Sequence, residues 1–207
     1  MIAVINYGAG NLGSVANAIA KLGYEPTVTS KPAEVLNAKV VILPGVGAAG
    51  DTMSCLDKLG MTSVIRQLIY ENRPLLAICV GLQVMFMGTE EGGWHGCLDV
   101  MPGVVRRLPR VLKIPHMGWN QVKQKIKHPI FEGIPDETNF YFVHSYYADP
   151  EDKSVVAGTT EYGVSICSVI VKDNLVATQF HPEKSGKWGL KMFSNFLETA
   201  FSKEKAE

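Results

Sequence analysis

Short, wholly apolar runs alternate in the first half of the chain with longer stretches whose apolar residues recur at helical spacing. Ile2–Asn6, Lys39–Leu43 and the run Leu75–Ile78 read as strands buried on both faces, with a weaker strand over Glu25–Thr29. Between them, Leu12–Leu22 places Val15, Ala18, Ile19 and Leu22 on one stripe, the signature of an amphipathic helix. Asp51–Tyr70 reads as helical and broken near Gly60, with Asp51 and Thr62 as N-caps, and a further helical run covers Leu82–Met87. Strand and helix in alternation predict an α/β protein: a doubly wound, mostly parallel sheet with helices on both faces.

After Gly92-Gly93 the period shortens. Val104–Leu108, Gln121–Lys125, Phe140–Val143, Ser154–Thr159, Val164–Val171 and Leu175–Thr178 alternate as strands do. Turn residues separate them, so they are expected to be mostly antiparallel and to extend the sheet, with a hairpin at Lys172–Asn174. A closing helix over Lys187–Phe201 turns Leu190, Phe193, Phe196 and Leu197 inward. No linker or repeat interrupts the pattern, so residues 1–207 are read as one domain, with Ser202–Glu207 a frayed, charged tail.

Composition narrows the function classes. Among 207 residues, 20 basic and 20 acidic side chains cancel, which offers no footprint for nucleic acid. No apolar run approaches the roughly 20 residues that span a bilayer, and the N-terminus lacks a signal-peptide pattern. The four cysteines, Cys55, Cys79, Cys97 and Cys167, are scattered without metal-type pairs, and His95-Gly96-Cys97 has no partner pair for zinc. A reduced, cytoplasmic enzyme without metal or cofactor is the expectation.

One cysteine stands apart. Leu75–Ile78 runs into Cys79, with small residues Ala77 and Gly81 two positions to either side and a helical run beyond. A strand that turns sharply into a helix exposes its corner side chain and aims the first helical N–H groups at whatever that side chain attacks. Most isolated cysteines in apolar runs are core packing, so the reading needs a base, a group to orient it and an oxyanion site. Phe180-His181-Pro182-Glu183 supplies the first two: His181 ends a strand, Pro182 stops the ladder, and Glu183 can curl back to the imidazole. Pro44-Gly45-Val46-Gly47 follows the neighbouring strand and can turn backbone amides outward. In a parallel sheet these groups share the carboxyl edge, where reactive groups gather. Gly8-Ala9-Gly10-Asn11-Leu12-Gly13 also fits GxGxxG between a strand and a helix. It lacks an acidic residue at the end of the second strand, since Glu34 comes only after Pro32, so a close backbone approach is the preferred reading of that turn.

Ala77-Ile78-Cys79-Val80-Gly81-Leu82-Gln83 with Phe180-His181-Pro182-Glu183 resembles the class I, triad-type glutamine amidotransferases. Tyr7–Leu12, Pro115–Asn120, Tyr141–Tyr146 and His181–Gly186 narrow the resemblance to the glutaminase subunits of imidazole glycerol phosphate synthase, over Ile2 to about Leu197. The resemblance implies a flavodoxin-like sheet and hydrolysis of glutamine to glutamate and ammonia. It also implies a heterodimer, in which the ammonia passes to a (β/α)₈-barrel cyclase subunit that joins histidine and purine synthesis. On that resemblance Cys79, His181 and Glu183 form the triad, and backbone amides near Val46, Gly47 and Val80 form the oxyanion hole. Gln83, Glu91, Ser145 and Tyr146 hold the substrate's amino-acid end, while Asn11, Trp119, Asn120, Tyr141 and Lys184 face the synthase. The other three cysteines are structural. The isolated subunit is expected to be nearly inactive until the synthase binds with its nucleotide ligand.

One residue departs from the class, which usually has glycine where Ala77 stands; a methyl there needs room in the elbow and resists positive φ. Three other readings stay open at this level: an amidotransferase serving another synthase, a cysteine peptidase or stress-type hydrolase on a similar sheet, and a nucleotide-binding module built on Gly8–Gly13.

Overall fold

The structure, a computed structural model, describes residues 1–202. In chain order the first half comprises β1 (Ile2–Ile5), α1 (Leu12–Lys21), β2 (Pro26–Thr29), α2 (Pro32–Leu36), β3 (Val40–Leu43), α3 (Ala49–Lys58), α4 (Met61–Tyr70), β4 (Leu75–Ile78) and α5 (Val80–Gln83). Then come the short strands β5 (Gly88–Thr89) and β6 (His95–Gly96), followed by β7 (Gly103–Arg107), β8 (His116–Gln124), β9 (Thr138–His144) and β10 (Tyr146–Pro150). The chain closes with β11 (Val156–Glu161), β12 (Ser165–Lys172), β13 (Leu175–Thr178) and α6 (Gly186–Ser202).

Nine strands form the main sheet in the order β2-β1-β3-β4-β13-β12-β11-β8-β9. The first five are parallel and the rest antiparallel, which is the predicted doubly wound, extended sheet. Every residue of β1, β3, β4 and β13 is buried, as expected for strands covered on both faces. The chain steps from β1 outward to β2 and then back across to β3. Right-handed crossovers therefore place α1 on one face and α2, α3 and α4 on the other. The packing agrees: α1 touches α6, while α2 and α3 touch α4. On α6, Phe193, Phe196 and Leu197 are buried and Leu190 half-buried, as the periodicity predicts. Each full burial of such a side chain contributes about 1.5–3 kcal/mol.

Several local expectations change. The run after Cys79 forms only the four residues of α5 rather than a helix to Met87. The caps of α3 and α4 are Ala48 and Gly60, with Asp51 inside the first turn of α3 and the Thr62 hydroxyl bonded to Asp57. The segment at Val104–Leu108 does not join the main sheet. It becomes β7 of a separate four-stranded sheet, β10-β7-β5-β6, three of whose strands have too little alternation to read in sequence. Pro32 begins α2 at a position where its missing N–H costs nothing. There Glu34 is tied to Lys31 at 2.8 Å and to the Thr29 hydroxyl, so it is engaged locally. The turn at Gly10 lies against Pro44, as a close backbone approach requires. Of the tail, Ser202 still belongs to α6, and 203–207 lie outside the described residues.

Candidate active site

β3 and β4 lie side by side with Leu43 opposite Ala77, and β13 flanks β4 on the other side with Thr178 opposite Ile78. Their carboxyl ends therefore deliver Pro44–Gly47, Cys79 and His181 to one edge. Cys79 sits at φ 55°, ψ −107°, a conformation rare for a residue with a side chain. Its N–H donates to the Thr178 carbonyl at 2.6 Å, and its carbonyl accepts from the Leu82 N–H at 3.0 Å, so the corner is held from both sides. Two glycines make it possible. A Cβ on Gly45 would stand 2.5 Å from the Gly81 nitrogen, and one on Gly81 would stand 2.6 Å from the Leu43 carbonyl oxygen. Pro44–Gly47 and the elbow are thus packed backbone to backbone.

Ala77 proves unproblematic. It lies in the strand proper, away from the positive-φ positions, and the strain expected near it falls on Cys79 itself. Its methyl is in ordinary contact range of Gly81, with about 3.5 Å even to a carbon placed there.

His181 is fixed by its backbone, donating from N–H to the Tyr141 carbonyl at 2.9 Å and accepting at its own carbonyl from the Ser185 hydroxyl at 2.7 Å. Its Nδ1 donates to Glu183 Oε1 at 2.8 Å, with the two side chains 2% and 1% exposed. That contact leaves Nε2 for the thiol side. Burial opposes the charged imidazole, but a bond to Cys79 and the Glu183 carboxylate together outweigh it and raise the His181 pKa to about 9. An imidazolium held between a sulfur and a carboxylate is the electrostatic setting of a thiolate nucleophile. Glu183 Oε2 is buried without a hydrogen-bond partner among the described residues, so the carboxylate's main counter-charge is His181.

These groups open into a cavity of about 160 Å³. Val46, Gly47 and Val80 line it, together with Gln83, Glu91, Ser145 and Tyr146. The small sheet supplies the far wall: β10 begins at Tyr146, and Glu91 follows β5. The Glu91 carboxylate accepts from the Ala49 N–H at the start of α3, 3.1 Å away. Cys79, His181 and all the residues proposed for the oxyanion site and substrate contacts therefore line one cavity, while Glu183 stands behind His181, outside that lining. Val143 and His144 also line it, Lys184 reaches it, and Gln179 donates from Nε2 to the Cys79 sulfur at 3.6 Å. Gln179 and His144 were not singled out from the sequence, though each lies within or beside a motif that was.

Of the five residues expected to face a partner, Trp119, Tyr141 and Lys184 form one cluster. Trp119 and Tyr141 are opposed on β8 and β9 with ring centroids 6.0 Å apart, and the Lys184 ammonium lies 6.0 Å from the Tyr141 ring. Trp119 is 57% exposed, which rules out core packing for it, and Met117 beside it is equally open. Asn11 stands at the start of α1, the helix that packs on the Pro182–Lys184 turn. Asn120 differs: its amide turns to His116 Nε2 at 3.2 Å and to the Glu161 carbonyl at 3.1 Å.

A strand-corner cysteine, a histidine beyond the end of the next strand and a buried carboxylate on its ring, set on a doubly wound sheet, form the arrangement expected of a triad-type amidotransferase. The sequence profile of the family "Glutamine amidotransferase class-I" matches residues 3–200, and the chain belongs to that family. More narrowly, it is a member of the group named imidazole glycerol phosphate synthase subunit HisH. It is 58% identical to the subunit of that name from Dehalococcoides mccartyi strain CBDB1 over 205 residues, covering 99% of this chain and all of the relative. It is 50% identical to that of Chloroflexus aurantiacus, covering 95% of each chain. Among solved structures, the fold is shared with one described as a glutamine amidotransferase at TM-score 0.76 and 18% identity, covering 97% of this chain and 100% of that one.

Proposed function

We infer that this chain is the glutaminase subunit of an imidazole glycerol phosphate synthase, acting as a single amidotransferase domain. It hydrolyses L-glutamine and hands the ammonia to a separate cyclase subunit in histidine biosynthesis. The observation that carries the reading is Cys79 at positive φ, sharing a cavity with His181, whose far ring nitrogen is held by the buried Glu183 carboxylate. The Cys79 thiolate attacks the side-chain carbonyl carbon of glutamine, and the oxygen takes the charge toward the amides of Val46, Gly47 and Val80. One such donor is typically worth about 3–4 kcal/mol in the transition state. The His181 imidazolium gives its proton to the departing nitrogen as the C–N bond breaks, leaving a thioester on Cys79 and free ammonia. Neutral His181 then takes a proton from water as the hydroxide adds to the thioester carbon. Collapse expels the thiolate and releases glutamate, returning the ion pair. Glu183 orients the ring throughout.

Glutamine's zwitterionic end gives Glu91 an ammonium to pair with and the amide-bearing wall a carboxylate. The exposed Trp119–Tyr141–Lys184 cluster beside the cavity is the surface we assign to the cyclase, with aromatic and cationic groups of the kind interface cores use. Such an enzyme works in the cytoplasm; no helix among the described residues is long and apolar enough to cross a membrane. The test is Cys79→Ala in the assembled synthase. Glutamine-dependent synthesis should disappear while synthesis from added ammonia continues, and persistent glutamine hydrolysis would refute the triad.

A further inference from the structure

Two buried histidines outside the triad, His116 and His144, form a hydrogen-bonded chain whose direction is fixed by its ends. His144 Nδ1 lies 2.8 Å from the Tyr146 carbonyl oxygen, which can only accept, so Nδ1 carries the proton. In a neutral ring, Nε2 is then an acceptor, and His116 Nδ1, 2.9 Å away, must donate to it. His116 Nε2 is left to accept, and the Asn120 amide nitrogen meets it at 3.2 Å. Three contacts thus agree on a single tautomer at both rings. Both are buried, at 3% and 6% exposure, and burial lowers their pKa values to about 4 and about 3, which keeps them uncharged. His116 is further clamped between Tyr162 and Phe142, with ring centroids 3.8 and 4.8 Å away.

The chain continues on the other side of Tyr146. The same carbonyl accepts from Gln83 Nε2 at 2.9 Å, and that nitrogen's second proton goes to Gln179 Oε1 at 3.1 Å. This orients the Gln179 amide so that its Nε2 donates to the Cys79 sulfur at 3.6 Å. An N–H aimed at sulfur favours the thiolate over the thiol.

We propose that His116 and His144 are positioning residues for the nucleophile: a neutral two-imidazole relay that pins the Tyr146 carbonyl and, through Gln83 and Gln179, holds an N–H donor on Cys79. The proposal rests on Cys79 being the nucleophile. It also gives Asn120 a role, since its amide closes the relay at the end away from the cavity. On the neighbouring outward position of β8, Trp119 faces the partner surface, so the outer face of this strand meets the cyclase while its inner face sets the active site.

The test has two parts. Side-chain 15N spectra of the full chain at neutral pH should show both rings neutral with the proton on Nδ1; an Nε2–H tautomer or an imidazolium at either position overturns the relay. This readout does not depend on glutamine turnover, so it stands or falls apart from the triad. The second part splits the two ends of His144. His144→Asn keeps a donor toward Tyr146 and loses the acceptor for His116, whereas His144→Gln does the reverse. In the assembled synthase, His144→Asn should lose a few-fold in kcat, because the donor to Tyr146 stays but His116 no longer holds it in place. His144→Gln should lose about tenfold or more, the size expected for one mispositioned hydrogen bond at the reacting group, with KM for glutamine little changed. Equal kcat values for the two variants, or the opposite order, would reduce His144 to packing. Where either variant fails to fold, the spectra of the parent chain decide.

Discussion

Cys79 holds a backbone conformation that costs a non-glycine residue about 1–3 kcal/mol, and the surrounding backbone contacts hold it there. Its environment sets it apart from the other buried thiols. Burial pushes Cys97 up to about 11 and Cys167 up to about 12, so both remain protonated and unreactive near neutrality. Alkylation with a small haloacetamide at pH 7 should therefore modify Cys79 well before Cys97 or Cys167, read by peptide mass spectrometry; comparable labelling of all three would contradict the role of Cys79 as nucleophile. The same pair makes a prediction for His181. Cys79→Ala removes the stronger of the two partners that raise its pKa, while burial and Glu183 remain. NMR titration of that variant should show His181 losing its proton at a lower pH than in the parent chain. An unchanged titration would mean that the Cys79 sulfur contributes nothing to holding the charge.

The turn that presents His181 depends on how α6 leaves it. Gly189 passes so close to Pro182 that a Cβ would overlap the Pro182 carbonyl oxygen, a backbone atom that cannot yield. Gly189→Ala should destabilise the fold by about 1–3 kcal/mol, as overpacking does, and should lower glutaminase activity by displacing the turn. A thermal melt and a turnover assay check this, and a variant with parent-like values in both would show that α6 can shift freely. Elements of this kind mark how far the sequence could be read. β1, β3, β4 and β13 were legible because their residues are apolar on both faces, and α1 and α6 because their apolar stripes recur over several turns. Cys79 and His181 could be singled out because each follows the end of such a strand, and Glu183 because the turn after His181 keeps it within reach of the imidazole. The small sheet was not, since Gly88–Thr89 and His95–Gly96 are too short to show a period and Tyr146–Pro150 carries little alternation. The His116–His144 chain was hidden for a different reason: it depends on β8 pairing with β9 in one register, which no local pattern encodes.

At the scale of the whole molecule, the buried histidines give stability an optimum in pH. His181 has a raised pKa, so its contribution is complete below the usual histidine value near 6.5 and fades as pH rises through about 9. His116 and His144 are depressed, so theirs is complete above about 6.5 and fades as pH falls through about 4 and about 3. Denaturant unfolding should give the largest free energy close to pH 6.5–7, with a loss on the order of 4 kcal/mol toward pH 4.5, where two histidines contribute, and about 2–3 kcal/mol toward pH 9. A stability that climbed steadily to pH 9 would exclude the charged His181. At this scale the proposed function predicts dependence on the cyclase partner, since glutamine hydrolysed by the free chain would be wasted. The most direct measurement of the central claim is steady-state glutamine hydrolysis by the parent chain and by Cys79→Ala, each alone and with the cyclase subunit and its nucleotide ligand. The account predicts a low rate for the parent alone, strong activation on assembly, and no turnover by Cys79→Ala in either state. Hydrolysis by Cys79→Ala, or a parent chain indifferent to the cyclase, would contradict it.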